Sequence, residues 1–125
     1  MGDYTAKHID DMEAGFGGGF VKARAELGVS AFGFQVIRLP PNFSDYPEHD
    51  ELNTGQEEVY TALEGSGWIE IDGERVELEP GLFVRVGPEP KRKIFSGSDG
   101  LQLLALGGVS GEVYKPSPNS ELKAG

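Results

Sequence analysis

The segment from Gln56 to Val86 constrains the fold more than any other part of the chain. Apolar and polar residues alternate along three stretches of it, and these are separated by turn-forming residues at Gly65-Ser66-Gly67, Asp72-Gly73 and Pro80-Gly81. Alternation turns one face of each stretch inward, which is the periodicity of a half-buried β-strand. Asp72-Gly73 is the strongest signal, because a type I′ turn needs positive φ at both central residues. The segment therefore predicts a meander of antiparallel strands.

The same criteria predict strands along most of the chain, with a helical turn at Asp10 to Ala14 and a turn at Ser96 to Gly100. The predicted strands are Tyr4 to Ile9, Phe20 to Leu27, Phe32 to Leu39, Val59 to Leu63, Trp68 to Ile71, Arg75 to Leu78, Leu82 to Val86, Lys93 to Phe95 and Leu101 to Leu106. Many short strands between turn signals indicate an all-β sandwich or barrel. A length of 125 residues suits one domain.

Two motifs in this region resemble those of the cupin superfamily. Glu58 followed after six residues by Gly65 resembles the end of the first cupin motif, and the run from Pro80 to Val84 resembles the second. The resemblance implies a single-domain cupin jelly roll, which is a double-stranded β-helix barrel. It divides the chain into N-terminal strands and a Gly-rich loop (1–31), the conserved barrel core (32–108) and an extended C-terminal tail (109–125).

Composition excludes several classes of function. The chain has no cysteine, so disulfides, thiolate metal sites and cysteine nucleophiles are excluded. The formal net charge is -10, and such a protein repels a phosphate backbone, so nucleic acid is not an expected partner. No apolar run has the length of a membrane span or of a signal-peptide core, so we expect no membrane partner and a cytoplasmic location.

The resemblance also implies where a metal would bind. Cupins that hold a metal resemble one another in using two histidines and a glutamate of the first motif and one histidine of the second. Glu58 stands at the glutamate position, and the nearest match to the histidine pair is His49-Asp50-Glu51. The gap from Glu51 to Glu58 is longer than usual in the family. His49 and Glu51 can therefore act as ligands only if the loop between them and Glu58 bulges.

The histidine of the second motif is missing. Counting from Pro80-Gly81 places Arg92 at this position, and a permanent cation disfavours a metal ion beside it. An arginine can instead form a charge-assisted contact with Glu58. We therefore expect no cofactor, and the alternative is a divalent transition metal held by His49, Glu51 and Glu58.

These residues lead to three hypotheses on function. The first is a small-molecule-binding cupin domain without the standard metal site. The second is a metal-dependent oxygenase or isomerase with the reduced ligand set, and the third is a dimerisation module. A homodimer is expected in any case, because both faces of Phe32 to Leu39 are apolar and need cover. The residues expected to line the ligand pocket are His49, Glu51, Gln56, Glu58, Tyr60 and Arg92.

Overall fold

The computed structural model describes residues 2–123, which form seven strands and one short helix. The strands are β1 (Ala14–Gly15), β2 (Phe20–Val21), β3 (Gly33–Leu39), β4 (Glu57–Ile71), β5 (Glu74–Leu78), β6 (Phe83–Val86) and β7 (Arg92–Gly108). The helix is α1 (Ala23–Leu27), and 3-10 turns lie at Ile9–Asp11, Phe16–Gly18 and Pro118–Ser120. The predicted all-β class is confirmed.

Two long strands, β4 and β7, organise the barrel. The pairing order is β1-β2-β3-β7-β4-β5, and β6 also pairs with β4. The first half of β4 lies between β6 and the second half of β7, whereas its second half lies between β5 and the first half of β7. All of these pairs are antiparallel, and the buried core lies between the resulting layers. Such an arrangement is a jelly roll.

Both long strands bend where the sequence analysis expected turns. β4 continues through Gly65-Ser66-Gly67 with register shifts against β7, and β7 continues through Ser96 to Gly100. Gly65 has a φ of +81°, and a Cβ there would lie 2.2 Å from the Gly100 carbonyl oxygen. Glycine permits this close crossing of two backbones as readily as it permits a reversal of the chain. The prediction of turns at these two places is therefore wrong.

The Asp72-Gly73 hairpin is present between β4 and β5. Asp72 has a φ of +49° and Gly73 a φ of +85°, and Ile71 pairs with Glu74 across the turn. Positive φ at both central residues is the requirement of a type I′ turn. The strongest turn signal in the sequence is thus confirmed.

The predicted strand from Phe20 to Leu27 is wrong after Val21. Residues 23–27 form helix α1 because alanine, arginine, glutamate and leucine favour helices, and Gly28 ends the helix with a φ of +75°. The N-terminal prediction also fails, since Tyr4 to Ile9 is not a strand and the helical turn spans Ile9–Asp11.

The C-terminal segment packs on the barrel, and buried cations hold it there. Lys22 Nζ contacts Glu13 at 2.7 Å and donates a hydrogen bond to the Glu121 carbonyl oxygen at 2.8 Å. Arg24 forms an ion pair with the Glu121 carboxylate. We call Glu13, Lys22, Arg24 and Glu121 the terminal clamp. Within residues 2–123, no helix is long and apolar enough to cross a membrane.

Candidate functional site

Strand β4 brings two functional side chains to the interior of the barrel. Glu58 and Tyr60 share one face of the strand, and Tyr60 is 1% exposed. The Tyr60 hydroxyl donates a hydrogen bond to Glu58 Oε1. The neighbouring Glu57 instead pairs with Arg85 on the outer surface. The inward face is therefore the one that carries Glu58.

The loop between β3 and β4 brings His49 beside Glu58. Backbone hydrogen bonds join His49 and Arg92 in both directions, at 3.0 Å from His49 N to Arg92 O and at 2.8 Å from Arg92 N to His49 O. These bonds fix the loop to the first residue of β7. As a result, His49 Nε2 lies 3.7 Å from Glu58 Oε1.

Glu51 reaches the same place because the loop turns tightly after it. Gly55 N donates a hydrogen bond to Glu51 O at 2.7 Å, and Thr54 Oγ1 donates one to Glu51 Oε1 at 2.7 Å. Glu51 Oε2 then lies 3.2 Å from His49 Nε2. Ligand atoms of His49, Glu51 and Glu58 all lie within 4.8 Å of one another. The loop thus makes the bulge that the sequence spacing required.

Arg92 is fully buried behind Glu58. Its Nε lies 3.4 Å from Glu58 Oε1, the contact expected from its position in the second motif. The other guanidinium nitrogens donate hydrogen bonds to backbone carbonyls, with Pro90 O and Gly87 O each at 2.8 Å. Arg92 is not among the residues that line the cavity described below. The structure therefore places Arg92 behind the cavity wall, where it contacts Glu58.

His49, Glu51, Glu58 and Arg92 form a cluster that we call the charge quartet. Hydrogen bonding to Glu51, and then to Glu58, raises the pKa of His49 to about 9, although burial acts against this. Burial favours a higher pKa for Glu51, but its contacts with His49 and Thr54 outweigh burial and lower the pKa. At neutral pH two cations therefore balance two carboxylates inside the quartet.

The charge quartet borders an internal cavity of about 230 Å³. Five of the residues named in the sequence analysis, His49, Glu51, Gln56, Glu58 and Tyr60, line this cavity. The rest of the wall is mainly apolar or aromatic and includes Phe20, Phe34, Ile37, Tyr46, Ile94 and Tyr114. An apolar cavity with a few convergent polar groups is typical of a small-molecule site.

Among the lining residues that sequence reasoning missed are Tyr46, Tyr114 and Gln35, which lie outside the motifs. Tyr46 comes from the loop before β4, and burial together with the nearby Glu58 raises its pKa to about 12. Tyr114 comes from the segment predicted to be an extended tail. Gln35 lies on β3, and its Oε1 is buried with no hydrogen-bond partner in the described part of the chain. Of these three residues, only Gln35 had a sequence signal for a site, because it is a polar residue within a largely apolar strand.

A second depression of about 770 Å³ adjoins the cavity, and we call it the outer groove. Four residues line both spaces, namely Phe20, Tyr46, His49 and Ser117. Its other walls include the glycine-rich loop at residues 16–19 and the apolar residues Leu39, Pro40, Phe43 and Pro47. The cavity and the outer groove are therefore neighbouring parts of one concave region.

Known structures of similar shape agree with this architecture. A cupin protein from Bacteroides fragilis is 24% identical, with 98% of each chain covered and a TM-score of 0.73. The chain has the fold of a small single-domain cupin. A sugar phosphate isomerase of the cupin superfamily from Silicibacter pomeroyi is 17% identical, with 90% of this chain and 77% of that chain covered and a TM-score of 0.66.

A cupin 2 conserved barrel domain protein from Salinispora arenicola shares 17% identity and a TM-score of 0.53 over 65% of this chain and 66% of that chain. No protein-family model and no curated protein matches the sequence. Similarity at these sequence identities therefore supports the cupin fold alone, and the function must be inferred from the residues of this chain.

The standard cupin metal centre can be tested against these residues. His49 and Glu58 stand where two of its ligands are implied, and Glu51 offers a carboxylate in place of the second histidine. Arg92 occupies the fourth position, and its cation already contacts Glu58. A guanidinium has no acceptor atom with which to bind a metal. The four-ligand centre therefore does not fit this chain.

Proposed function

We propose that the chain is a small-molecule-binding cupin domain in which the charge quartet replaces the standard metal centre. The observation that carries this proposal is the balance of charge beside a largely apolar, partly open cavity. Arg92 and protonated His49 supply to Glu58 and Glu51 the positive charge that a metal would otherwise supply. Carboxylates near an apolar cavity need such a partner because isolated buried charges are unstable.

The polar wall gives the cavity its capacity for recognition. Gln56, Glu51 and Glu58 present amide and carboxylate groups to the cavity, and aromatic side chains fill much of the remaining wall. Apolar contact supplies binding free energy, while a few fixed polar groups orient a ligand. Such a cavity can bind a ligand without catalysing a reaction.

Metal content and ligand binding together test the proposal. Protein purified without a histidine tag should contain far less than one transition metal ion per chain. Added Zn²⁺ or Mn²⁺ should compete with the proton on His49 and with Arg92 for the carboxylates, and should therefore bind weakly in calorimetric titrations. Screening a small-molecule library by NMR should reveal ligands that shift amides of the cavity wall. Absence of any such ligand would contradict the proposal.

A metal-dependent enzyme of the oxygenase or isomerase type is the second candidate. It is favoured by the three ligand atoms that lie within 4.8 Å of one another. One histidine and two carboxylates suit a divalent metal and leave coordination positions open. About one tightly bound metal ion per chain, lost in both His49→Gln and Glu51→Gln variants, would establish this candidate and overturn the first.

We also propose that the chain forms a homodimer through exposed apolar residues of its outer surface. Phe32 is 45% exposed and Phe83 is 69% exposed, and burial of such side chains drives association. Light scattering at micromolar concentration should give twice the monomer mass, and Phe83→Ser together with Phe32→Ser should weaken the dimer. A monomeric mass for the wild-type protein would contradict this expectation.

A further inference from the structure

Three features of the cavity and the outer groove restrict the ligand beyond the proposal above. They are Gln35, an unpaired acceptor in the cavity wall, Arg92, a cation that does not line the cavity, and Phe16, an exposed aromatic residue with positive φ at the edge of the groove. Each restricts the chemistry of a ligand.

The cavity offers acceptors to a ligand. Gln35 Oε1 is buried and receives no hydrogen bond within residues 2–123. At Glu58, the Tyr60 hydroxyl and the closest contacts of His49 and Arg92 all end on Oε1, and no hydrogen bond from a described residue reaches Oε2. A buried acceptor without a partner is unfavourable, so a ligand that donates a hydrogen bond to Gln35 Oε1 gains free energy, and Glu58 Oε2 offers it a further acceptor.

The charge of the wall disfavours anions. The ionisable groups that line the cavity are two carboxylates, Glu51 and Glu58, and one histidine, His49, together with tyrosines, so the carboxylates outnumber the basic groups. Arg92 cannot meet an anion in the cavity, because it lies behind Glu58 and donates to backbone carbonyls. A phosphate or carboxylate in the cavity would therefore meet Glu51 and Glu58. Among the described residues that line the cavity, the basic group is His49, which already contacts both carboxylates.

The outer groove offers apolar contact just beyond the cavity. Phe16 stands at its edge with 74% of its surface exposed, edge-on to Phe20 at a centroid distance of 5.9 Å. Phe16 has a φ of +52°, which is unfavourable for a bulky side chain. Strained backbone of this kind is concentrated at ligand sites, where it aims a side chain. Tyr46 and His49 border both spaces, so a ligand can extend from one into the other.

We propose that the cavity and the outer groove bind one amphipathic small molecule. Its head carries hydroxyl or amino groups, bears no negative charge and occupies the cavity, while its apolar portion lies in the outer groove against Phe16. This assignment rests on the proposed function and narrows it to a ligand class. It separates the chain from any cupin whose ligand is anionic.

Four small probes that differ in head group and apolar portion test the assignment by ¹H–¹⁵N NMR titration of the full chain. Methyl β-glucoside presents a hydroxylated head alone, phenyl β-glucoside adds an apolar portion, benzylamine presents an amino head, and phenyl phosphate replaces the head with an anion. We expect phenyl β-glucoside or benzylamine to shift amides of both spaces. Phenyl β-glucoside should bind about tenfold tighter than methyl β-glucoside, because a phenyl ring buries substantial apolar surface. Phenyl phosphate should bind at least about tenfold more weakly than the better of the two.

Variants then assign the two parts of the ligand. Phe16→Ala should weaken phenyl β-glucoside severalfold and leave methyl β-glucoside unchanged. Phe83→Ala removes an aromatic residue of similar exposure that does not line the groove, so it should alter neither. Gln35→Leu should weaken both glucosides, since it removes the unpaired acceptor.

The outcomes separate this inference from the proposal on which it rests. If phenyl phosphate shifts the cavity amides as strongly as the neutral and amino probes, the ligand class is wrong and small-molecule binding stands. If Phe16→Ala changes both glucosides equally or neither, the role of the outer groove is wrong. If none of the probes binds, the inference is overturned, and a full metal complement in the same protein would overturn the proposed function as well.

Discussion

The charge quartet and the terminal clamp each bury an arginine, but they surround it differently. Arg92 is fully buried, and its partners are the enclosed Glu58 and the carbonyls of a short loop. Arg24 is 6% exposed, and its carboxylate partner Glu121 is itself more than half exposed. Loss of the arginine therefore leaves a largely buried carboxylate in the quartet but a carboxylate that is more than half exposed in the terminal clamp.

This difference indicates what each region can tolerate. A buried ion pair that loses one partner is strongly destabilised, whereas an exposed carboxylate that loses its partner is solvated by water. The terminal clamp therefore stabilises the position of the C-terminal segment, whereas the charge quartet stabilises the folded barrel as a whole. The following variants test this contrast, from the largest expected effect to the smallest.

Arg92→Met should have the largest effect. It leaves Glu58 beside an apolar wall and removes donors from the carbonyls of Gly87 and Pro90, so the free energy of unfolding should fall by about 3–5 kcal/mol in urea denaturation. Arg85→Met, which removes an arginine paired with Glu57 on the surface, should change it by less than about 1 kcal/mol.

A double-mutant cycle sharpens this result. Arg92→Met combined with Glu58→Gln should destabilise by less than the two single changes added, with a coupling of about 1–3 kcal/mol, because the double variant leaves no lone charge. Additive effects would show that Arg92 acts through the loop carbonyls alone.

Arg24→Met should have a smaller effect, about 1.5–3 kcal/mol, through loss of hydrogen bonds to the Glu121 carboxylate and to Val29 O at 3.0 Å. Glu121→Gln should lose no more than about 1 kcal/mol. Hydrogen exchange should increase mainly in residues 113–123 in both variants, since a clamp on a segment allows local opening. Equal acceleration throughout the barrel would remove the contrast between the two regions.

Gly73→Val gives a reference outside both regions. Its effect should be about 1–2 kcal/mol, because a Cβ at this turn would meet no atom within 4 Å and only the backbone conformation is unfavourable. Gly73→Asn should lose less, since asparagine accepts positive φ more readily. Thermal denaturation of the three proteins measures the difference, and an unchanged Gly73→Val protein would contradict the turn assignment.

The smallest effect should be the dependence of stability on pH through His49. Its folded pKa of about 9 lies above its ordinary value of 6.5, so its contribution is full below about pH 6.5 and is lost as pH rises toward 9. More than a third of the side chain is exposed, so solvent weakens the contribution. His49→Gln should flatten this part of the curve, and identical slopes for both proteins would contradict a raised pKa.

Much of the barrel could be predicted because its signals are local. The apolar run from Phe32 to Leu39 and the turn at Asp72-Gly73 each depend on a few adjacent residues, and the motif from Glu58 to Gly65 located the inward carboxylate. Such local signals give a wrong prediction where the same residue pattern suits both a strand and a helix. Ala23 to Leu27 alternates like a strand, yet its residues favour a helix and the lysine and arginine at its start are buried by the terminal clamp.

The candidate site could be predicted only in part, because its members meet through long-range contacts. Spacing alone argued against Glu51, and the tight turn that returns it to Glu58 has no counterpart in strand periodicity. Tyr114 enters the cavity wall from a segment predicted to be an extended tail, and nothing in the local sequence indicates this contact. Arg92 was expected beside Glu58, but no sequence pattern shows that backbone carbonyls hold its guanidinium away from the cavity.

The paired hydrogen bonds between His49 and Arg92 use only backbone atoms. The path of the loop therefore does not depend on which side chains stand at these two places. Replacement of either residue leaves these backbone bonds available. Its effect on folding and on the cavity then comes through the side-chain contacts of the charge quartet.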